Sequence, residues 1–181
     1  MTNRCTNNCL FCIRNNSDGL SGYYLWLKRE PESAEIIEQL KDLEGIEEVV
    51  FCGFGEPLMR WKEVIKISKF IKSKNVPVRI NTNGQADLFA EKDIVPLIAP
   101  YIDRINISLN EVTAEDYDKI CNSVYGKDAF GKMLDFAKRC KEFIPKVTLS
   151  VVDVIGEEKI RKAQEIADRL GVKLRVRPFI S

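Results

Sequence analysis

The sequence predicts an α/β fold built on a parallel sheet in a single domain. Apolar runs of strand length alternate with stretches of helical period along the whole chain. Each strand-helix pair spans roughly 30 residues, so the 181 residues hold about six such units. Consecutive units of this kind form right-handed βαβ crossovers and therefore parallel pairs. Six strands are too few to close an eight-stranded barrel, which leaves an open barrel or a flat doubly wound sheet. No linker or low-complexity tract divides residues 1–181.

The elements follow in order. Residues 1–4 are all that precede the first cysteine, so strand one is a stub or the start is truncated. Residues 13–31 make a connection too long for a simple turn, punctuated by Asp18-Gly19 and Ser21-Gly22 and carrying Tyr23, Tyr24, Leu25 and Trp26. Such loops serve as lids or binding segments, and the other reading is an aromatic anchor packed over the sheet. Ser33 as N-cap, Ile36, Ile37, Leu40 and Leu43 at helical spacing, and Gly45 as the stop predict the first helix. A strand over 48–52 leads to a helix over 60–74, with Trp61, Val64, Ile65, Ser68 and Ile71 inward. The strand 76–82 precedes a helix over 91–99, and the strand 104–109 precedes helical segments after Thr113 and Asp128. The strand 146–152, a helix over 157–170 stopped by Gly171, and a strand over 173–179 complete the chain.

Composition narrows the chemistry. With 45% hydrophobic and 30% charged residues the chain reads as an ordinary globular protein, and its formal charge of +1 offers no global attraction to nucleic acid or an anionic membrane. No stretch approaches the ~18 apolar residues of a membrane span, and no signal-peptide core stands at the N-terminus, so a cytoplasmic location is expected. Closely spaced thiols in that compartment read as metal-binding or catalytic. Histidine is absent, which removes Ser-His-Asp hydrolysis, Cys-His catalysis and His-ligated zinc. Cofactors, carboxylates, Lys, Tyr and Cys remain.

Cys5, Cys9 and Cys12 stand in Asn3-Arg4-Cys5-Thr6-Asn7-Asn8-Cys9-Leu10-Phe11-Cys12. This spacing gathers three sulfurs on one loop, as iron-sulfur ligation requires, and leaves one iron of a four-iron cube open for chemistry. The other readings are a zinc site completed by Cys52, Cys121 or Cys140, and three unmodified thiols. Cys140 falls on an apolar helical stripe and Cys121 has no partner at metal spacing, so both read as ordinary packing residues. Gly53-Phe54-Gly55-Glu56-Pro57 follows the second strand. Its glycines let backbone approach a ligand closely, Glu56 brings a negative charge and Pro57 fixes the exit, although an ordinary turn has similar composition.

The Cys-x3-Cys-x2-Cys loop, with Phe11 before its third cysteine, resembles the radical S-adenosylmethionine (SAM) superfamily. The Gly53 to Pro57 turn resembles that superfamily's Gly-Gly-Glu-Pro motif, with Phe54 in place of the first glycine. The resemblance implies an α/β open (β/α)6 TIM-like barrel and an oxygen-sensitive 4Fe-4S cluster on Cys5, Cys9 and Cys12, which would reductively cleave SAM. The resulting deoxyadenosyl radical would abstract hydrogen from an unidentified substrate, with flavodoxin or ferredoxin as electron donor. It implies further that Phe11, Gly53, Phe54, Gly55, Glu56 and Pro57 lie beside SAM, together with Thr82 and Asn83 of Thr82-Asn83-Gly84. Ser108 and Asn110 after strand four and an apolar residue near Val152 for adenine complete the implied set; strand alternation, independently, offers Arg177 near the functional end for a carboxylate of SAM or of the substrate. Asn-Gly and Ser/Asn positions also favour turns without any ligand.

The short length, the Thr2-Asn3-Arg4-Cys5-Thr6-Asn7 opening and the Gly22-Tyr23-Tyr24-Leu25-Trp26-Leu27 stretch resemble the TatD-associated radical SAM proteins, implying a functional link to a TatD-type nuclease. Glycyl-radical activating enzymes and carboxy-deazaguanine synthases are the alternatives within the class. An iron-sulfur electron carrier or redox sensor is the alternative outside it.

Strand alternation adds an inference independent of family. Val78 and Ile80 oppose Arg79 and Asn81; Ile105, Ile107 and Leu109 oppose Arg104, Asn106, Ser108 and Asn110; Leu174 and Val176 oppose Arg175 and Arg177. The apolar faces should take the helices and the polar faces should line a wet lumen. Arg79 and Arg104 could instead pair with Glu47, Glu48 or Asp103 at its floor.

Overall fold

A computed structural model describes residues 1–20 and 22–179, so Ser21 of the expected Ser21-Gly22 turn lies outside the described residues. Five strands form one parallel sheet in sequential order: β3 (Val49–Phe51), β4 (Val78–Thr82), β5 (Arg104–Ser108), β6 (Lys146–Val152) and β7 (Lys173–Arg177). Sequential order with parallel pairing puts each crossover on the same side. The sheet is then apolar on its outer face and polar on its inner one.

The helices are α1 (Ser33–Gln39), α2 (Trp61–Ser73), α3 (Ala86–Ala90), α4 (Val95–Ile98), α5 (Ala114–Cys121), α6 (Asp128–Phe143) and α7 (Glu157–Leu170). They cover the face carrying Val78, Ile80, Ile105, Ile107, Leu149 and Val151, all essentially buried. From α2 the core receives Val64, Ile67, Ser68 and Ile71, whereas Trp61 and Ile65 are only partly buried. Burying each of these branched side chains contributes about 1.5–3 kcal/mol.

Several expectations are corrected. Residues 1–4 form no strand, so the main sheet has five strands; the segment instead runs beside the 53–57 turn, held by the Glu56 N–H donating to the Arg4 carbonyl at 2.8 Å. One such bond cannot make a ladder. The first helix ends at Gln39, with Leu40 as its cap, because a turn over residues 41–48 intervenes before β3. Of the helix expected over 91–99 only α4 forms: α3 precedes it and is ended by the left-handed cap Glu91 (φ 53°), residues 91–94 are not helical, and α4 starts afresh with Pro96 in its first turn. Val176, expected beneath helices, is 43% exposed on the edge strand β7. Within residues 13–31, β1 (Gly19–Leu20) and β2 (Tyr23–Tyr24) form a small antiparallel hairpin.

Candidate functional site

The cysteine loop is docked on the C-terminus of α5. The last carbonyls of a helix lack intrahelical partners. Here the Asn8 N–H donates to the Cys121 carbonyl and the Leu10 N–H to that of Ile120, each at 2.9 Å, and Asn122 ends the helix in the left-handed region. Beneath the loop lies a buried polar network: Gln85 Nε2 donates to Asn7 Oδ1 (2.7 Å) and the Tyr117 hydroxyl (2.9 Å), while Ser123 Oγ donates to Gln85 Oε1 (3.0 Å). Arg14 fastens the loop to the neighbouring turn through the Asn7 carbonyl (3.2 Å) and the Phe54 carbonyl (3.5 Å).

Three motifs meet at Asn83. Its Nδ2 donates to Thr6 Oγ1 (2.8 Å) and approaches Cys5 Sγ (3.7 Å), and its backbone N–H donates to Glu56 Oε2 (2.7 Å). Glu56 Oε1 accepts from Thr82 Oγ1 (2.8 Å) and the Leu58 N–H (2.9 Å). Both oxygens of Glu56 thus brace the 53–57 turn against the exit of β4. Burial raises the Glu56 carboxyl above its ordinary value, partly offset by those three donors. Gly55 is required by close approach, because a Cβ there would sit 2.1 Å from the Thr2 carbonyl oxygen. Pro57 is buried at the start of a short 3-10 turn. Gly53 is exposed at φ 143°. Phe54 is buried and meets Trp26 edge to face, with centroids 5.0 Å apart.

The aromatic segment is anchored at one of its residues. Trp26 anchors, with its indole N–H on Asp18 (2.9 Å), while Tyr23 and Tyr24 are exposed. Between this segment and the 53–57 turn lies a small cavity of about 160 Å³ lined by Tyr24, Leu27, Gly53 and Gly55 among others.

Around the rim, Phe11 is half-buried before Cys12, and Ser108 is half-buried at the end of β5. Asn110 adopts φ 60°, donates to Cys121 Sγ (3.4 Å), and leaves its buried Oδ1 without a partner. Val152 is buried and pairs in register with Arg177, whose Nε is buried without a partner. Burial, then the charge of Arg175, holds Arg177 below the ordinary guanidinium range, with Cys9 close enough to oppose that shift.

Cys5, Cys9 and Cys12 are all half-buried. Burial pushes the Cys5 thiol up to about 11, and a hydrogen bond to Cys121, then burial, pushes Cys9 up as well. Cys121, read from the sequence as an ordinary packing residue, thus touches the loop. Its proximity comes from docking rather than spacing. Cys140 is buried in the core as expected, and Cys52 is exposed beside the turn. As donors, three thiols on one loop with N–H groups aimed at Cys5 suit an iron-sulfur cluster. Among the described residues no three Cys, Asp or Glu side chains are already gathered as a metal site.

The family model described as "Radical SAM superfamily" matches residues 1–170. The chain belongs to the radical SAM superfamily. Members of this superfamily use a 4Fe-4S cluster and SAM. Relatives include a "Probable GTP 3',8-cyclase" of Thermococcus kodakarensis, 26% identical over 97% of this chain and 54% of that protein. A "GTP 3',8-cyclase" of Lactiplantibacillus plantarum is 31% identical over 87% of this chain and 45% of that one. The chain thus spans about half the length of the curated relatives it matches. Among solved structures, Streptococcus suis SuiB bound to S-adenosylmethionine superimposes with TM-score 0.72 at 17% identity, over 98% of this chain and 37% of that one. HydG, a maturase of the [FeFe]-hydrogenase, gives 0.67 at 18%, over 99% and 41%. These likenesses give the fold as the partial TIM-like barrel of radical SAM proteins, with the polar face of the sheet as its lumen. No helix among the described residues is long and apolar enough to cross a membrane.

The residues that sequence reasoning missed are Asn7, Arg14, Gln85, Tyr117 and Cys121. Of these Asn7, Arg14 and Gln85 stood within or beside a motif in the chain. Tyr117 and Cys121 join the site through packing.

Proposed function

We propose that the chain is a radical SAM enzyme whose Cys5, Cys9 and Cys12 ligate a 4Fe-4S cluster, and that residues 1–181 are its core domain. When bound, the cluster and SAM supply a deoxyadenosyl radical for hydrogen abstraction. The observation carrying this reading is the position of Asn83, which joins the cysteine loop, the 53–57 turn and the exit of β4 in one bonded unit. A free-standing electron carrier has no use for that coupling.

The chain's own residues would divide the work. Backbone carbonyls around Gly53 and Gly55 accept from the SAM ammonium, with Phe54 and Pro57 holding the turn and Phe11 packing beside the cluster. Glu56 and Thr82 act as braces, and Asn83 supports Cys5. Ser108, Asn110 and Val152 face the nucleoside, and the Arg177 guanidinium takes a carboxylate. The electron donor is a small reductant protein such as flavodoxin or ferredoxin, and the setting is cytoplasmic. Among subfamilies we favour the TatD-associated proteins, on the 2–7 and 22–27 stretches, with a link to a TatD-type nuclease. The names of the relatives make GTP the first substrate to test.

The test is anaerobic reconstitution with iron and sulfide, followed by SAM and dithionite. Deoxyadenosine should form, and alanine at Cys5, Cys9 or Cys12 should abolish both the four-iron absorbance and the product. A well-formed cluster that leaves SAM intact would overturn the proposal in favour of electron transfer.

A further inference from the structure

We propose that the lumen floor, at the end of the sheet away from the cysteine loop, binds the phosphate groups of a small polyphosphorylated substrate. Calling this ligand a substrate rests on the radical SAM reading; its binding does not. A cavity of about 750 Å³ opens here among the first residues of β4 to β7. That volume falls in the usual range for small-molecule sites.

In-register pairing sets Arg79 of β4 opposite Arg104 of β5, and Arg104 opposite Lys146 of β6. Like charges directly opposite one another weaken a sheet. Glu48, the one carboxylate lining the cavity, reaches two of the three: Oε2 lies 2.7 Å from Arg79 Nε and Oε1 lies 3.1 Å from Arg104 Nη1. The expected pairing at the floor is thus real, and it is incomplete. Lys173 and Arg175 of β7 and Lys141 at the end of α6 line the same cavity, and among the described residues no other carboxylate does.

Six cations against one carboxylate call for an anion carrying several charges, and guanidinium forks favour phosphate oxygens. A monocarboxylate would balance too little. Net charge of only +1 offers no long-range field for a nucleic acid, and a cavity of about 750 Å³ has room for a small molecule. From Arg104 to Ser108 the strand climbs about 13 Å, so a ligand held by its phosphates sends its other end past Asn106 to the rim. Asn106 is buried on that path with its Oδ1 unpartnered.

The experiment is calorimetric titration of anaerobically reconstituted protein with sodium tripolyphosphate, sodium sulfate and a single-stranded RNA 20-mer at fixed ionic strength. Tripolyphosphate should bind roughly tenfold or more tightly than sulfate. The double variant Arg104→Gln/Lys146→Gln, and separately Arg175→Gln, should weaken it, the former about tenfold or more. Lys66→Gln/Lys69→Gln, on the outside of α2, should leave it within about twofold. The melting temperature read alongside should not fall for Arg104→Gln/Lys146→Gln, because a like-charge pair has been relieved.

Absent tripolyphosphate binding with deoxyadenosine production intact overturns the floor site and leaves the radical reading standing. Tighter binding of the RNA, or equal weakening by the α2 control, also overturns it. Tripolyphosphate binding without SAM cleavage supports the floor site and counts against the radical reading alone.

Discussion

Gly55→Ala tests how the cysteine loop is held. The added Cβ would lie 2.1 Å from the Thr2 carbonyl oxygen and 2.6 Å from that of Arg4, where real Cβ atoms stay beyond 3.0 Å. Both neighbours are backbone, so no side chain can swing aside. Residues 1–4 must withdraw by about 1 Å, an overpacking that costs ~1–3 kcal/mol. The 2.8 Å bond from the Glu56 N–H to the Arg4 carbonyl is lost with it, at about 1 kcal/mol. Reduced freedom of the unfolded chain returns ~0.4–1 kcal/mol. A net loss of about 2 kcal/mol lowers Tm by ~4–8 °C in a chain of this size.

Function should suffer more than stability, because Cys5 follows the displaced segment directly. A misplacement of ~1 Å can cost about 100-fold in rate. The assays are a thermal melt, four-iron absorbance after reconstitution, and deoxyadenosine yield. Gly53→Ala is the control: its Cβ meets nothing within 4 Å, and only the φ of 143° is strained. It should destabilise by ~1–2 kcal/mol and keep the cluster. If Gly55→Ala melts within a degree of the parent and forms deoxyadenosine at the parent rate, the close approach is not what positions the loop.

Two further outcomes follow from buried charge. Burial works to raise the Asp103 carboxyl, but Lys72 Nζ at 2.6 Å and the Val78 N–H at 2.8 Å together bring it below its ordinary value. A lowered folded value means that this stability is present at neutral pH and is lost as pH falls through it. Asp103→Asn should therefore lower Tm at pH 7 by the equivalent of ~0.5–1 kcal/mol, discounted because the pair is about one-third exposed. The gap should close in acid, and an unchanged gap at pH 3 would contradict this. Glu111 is fully buried against Lys159 Nζ at 2.9 Å. Lys159→Met should cost ~3 kcal/mol by stranding that charge, and the double variant Glu111→Gln/Lys159→Met should recover most of it in denaturant melts; additive losses would refute the coupling.

What could be read from the sequence was local. β6 and α7 fall on the residues expected, because six alternating residues over 146–151 and the positive-φ glycines at 156 and 171 mark them out without outside help. The helix expected over 91–99 shrank to α4, because its apolar residues fit one long helix as well as they fit a single turn, while residues 91–94, beginning with the left-handed Glu91, are not helical. In the candidate site, the cysteines, the 53–57 turn and Thr82-Asn83-Gly84 were visible as motifs. The bonds joining them were not. Asn83 meets Thr6 across 77 positions and Asn7 meets Tyr117 across 110, and no periodicity encodes contacts between segments that remote.

The lumen face shows where the fold forgoes stability. Successive inward layers on β5 and β6 pair Arg104 with Lys146, then Asn106 with Thr148, then Ser108 with Ser150. Branched apolar residues at the same heights would fill a closed barrel. Here Asn106 Nδ2 finds Ser150 Oγ at 3.2 Å, while its Oδ1 stays buried and unpaired, an omission that costs about 1–3 kcal/mol. The layers grade from full charge at the floor through amide and hydroxyl to hydroxyl at the exit. A ligand with one anionic end gains most at the floor and can lie along this gradient in only one direction. The end left facing the rim lies toward Arg177 and Cys9, so the same polar column that weakens the apo fold orients what enters it.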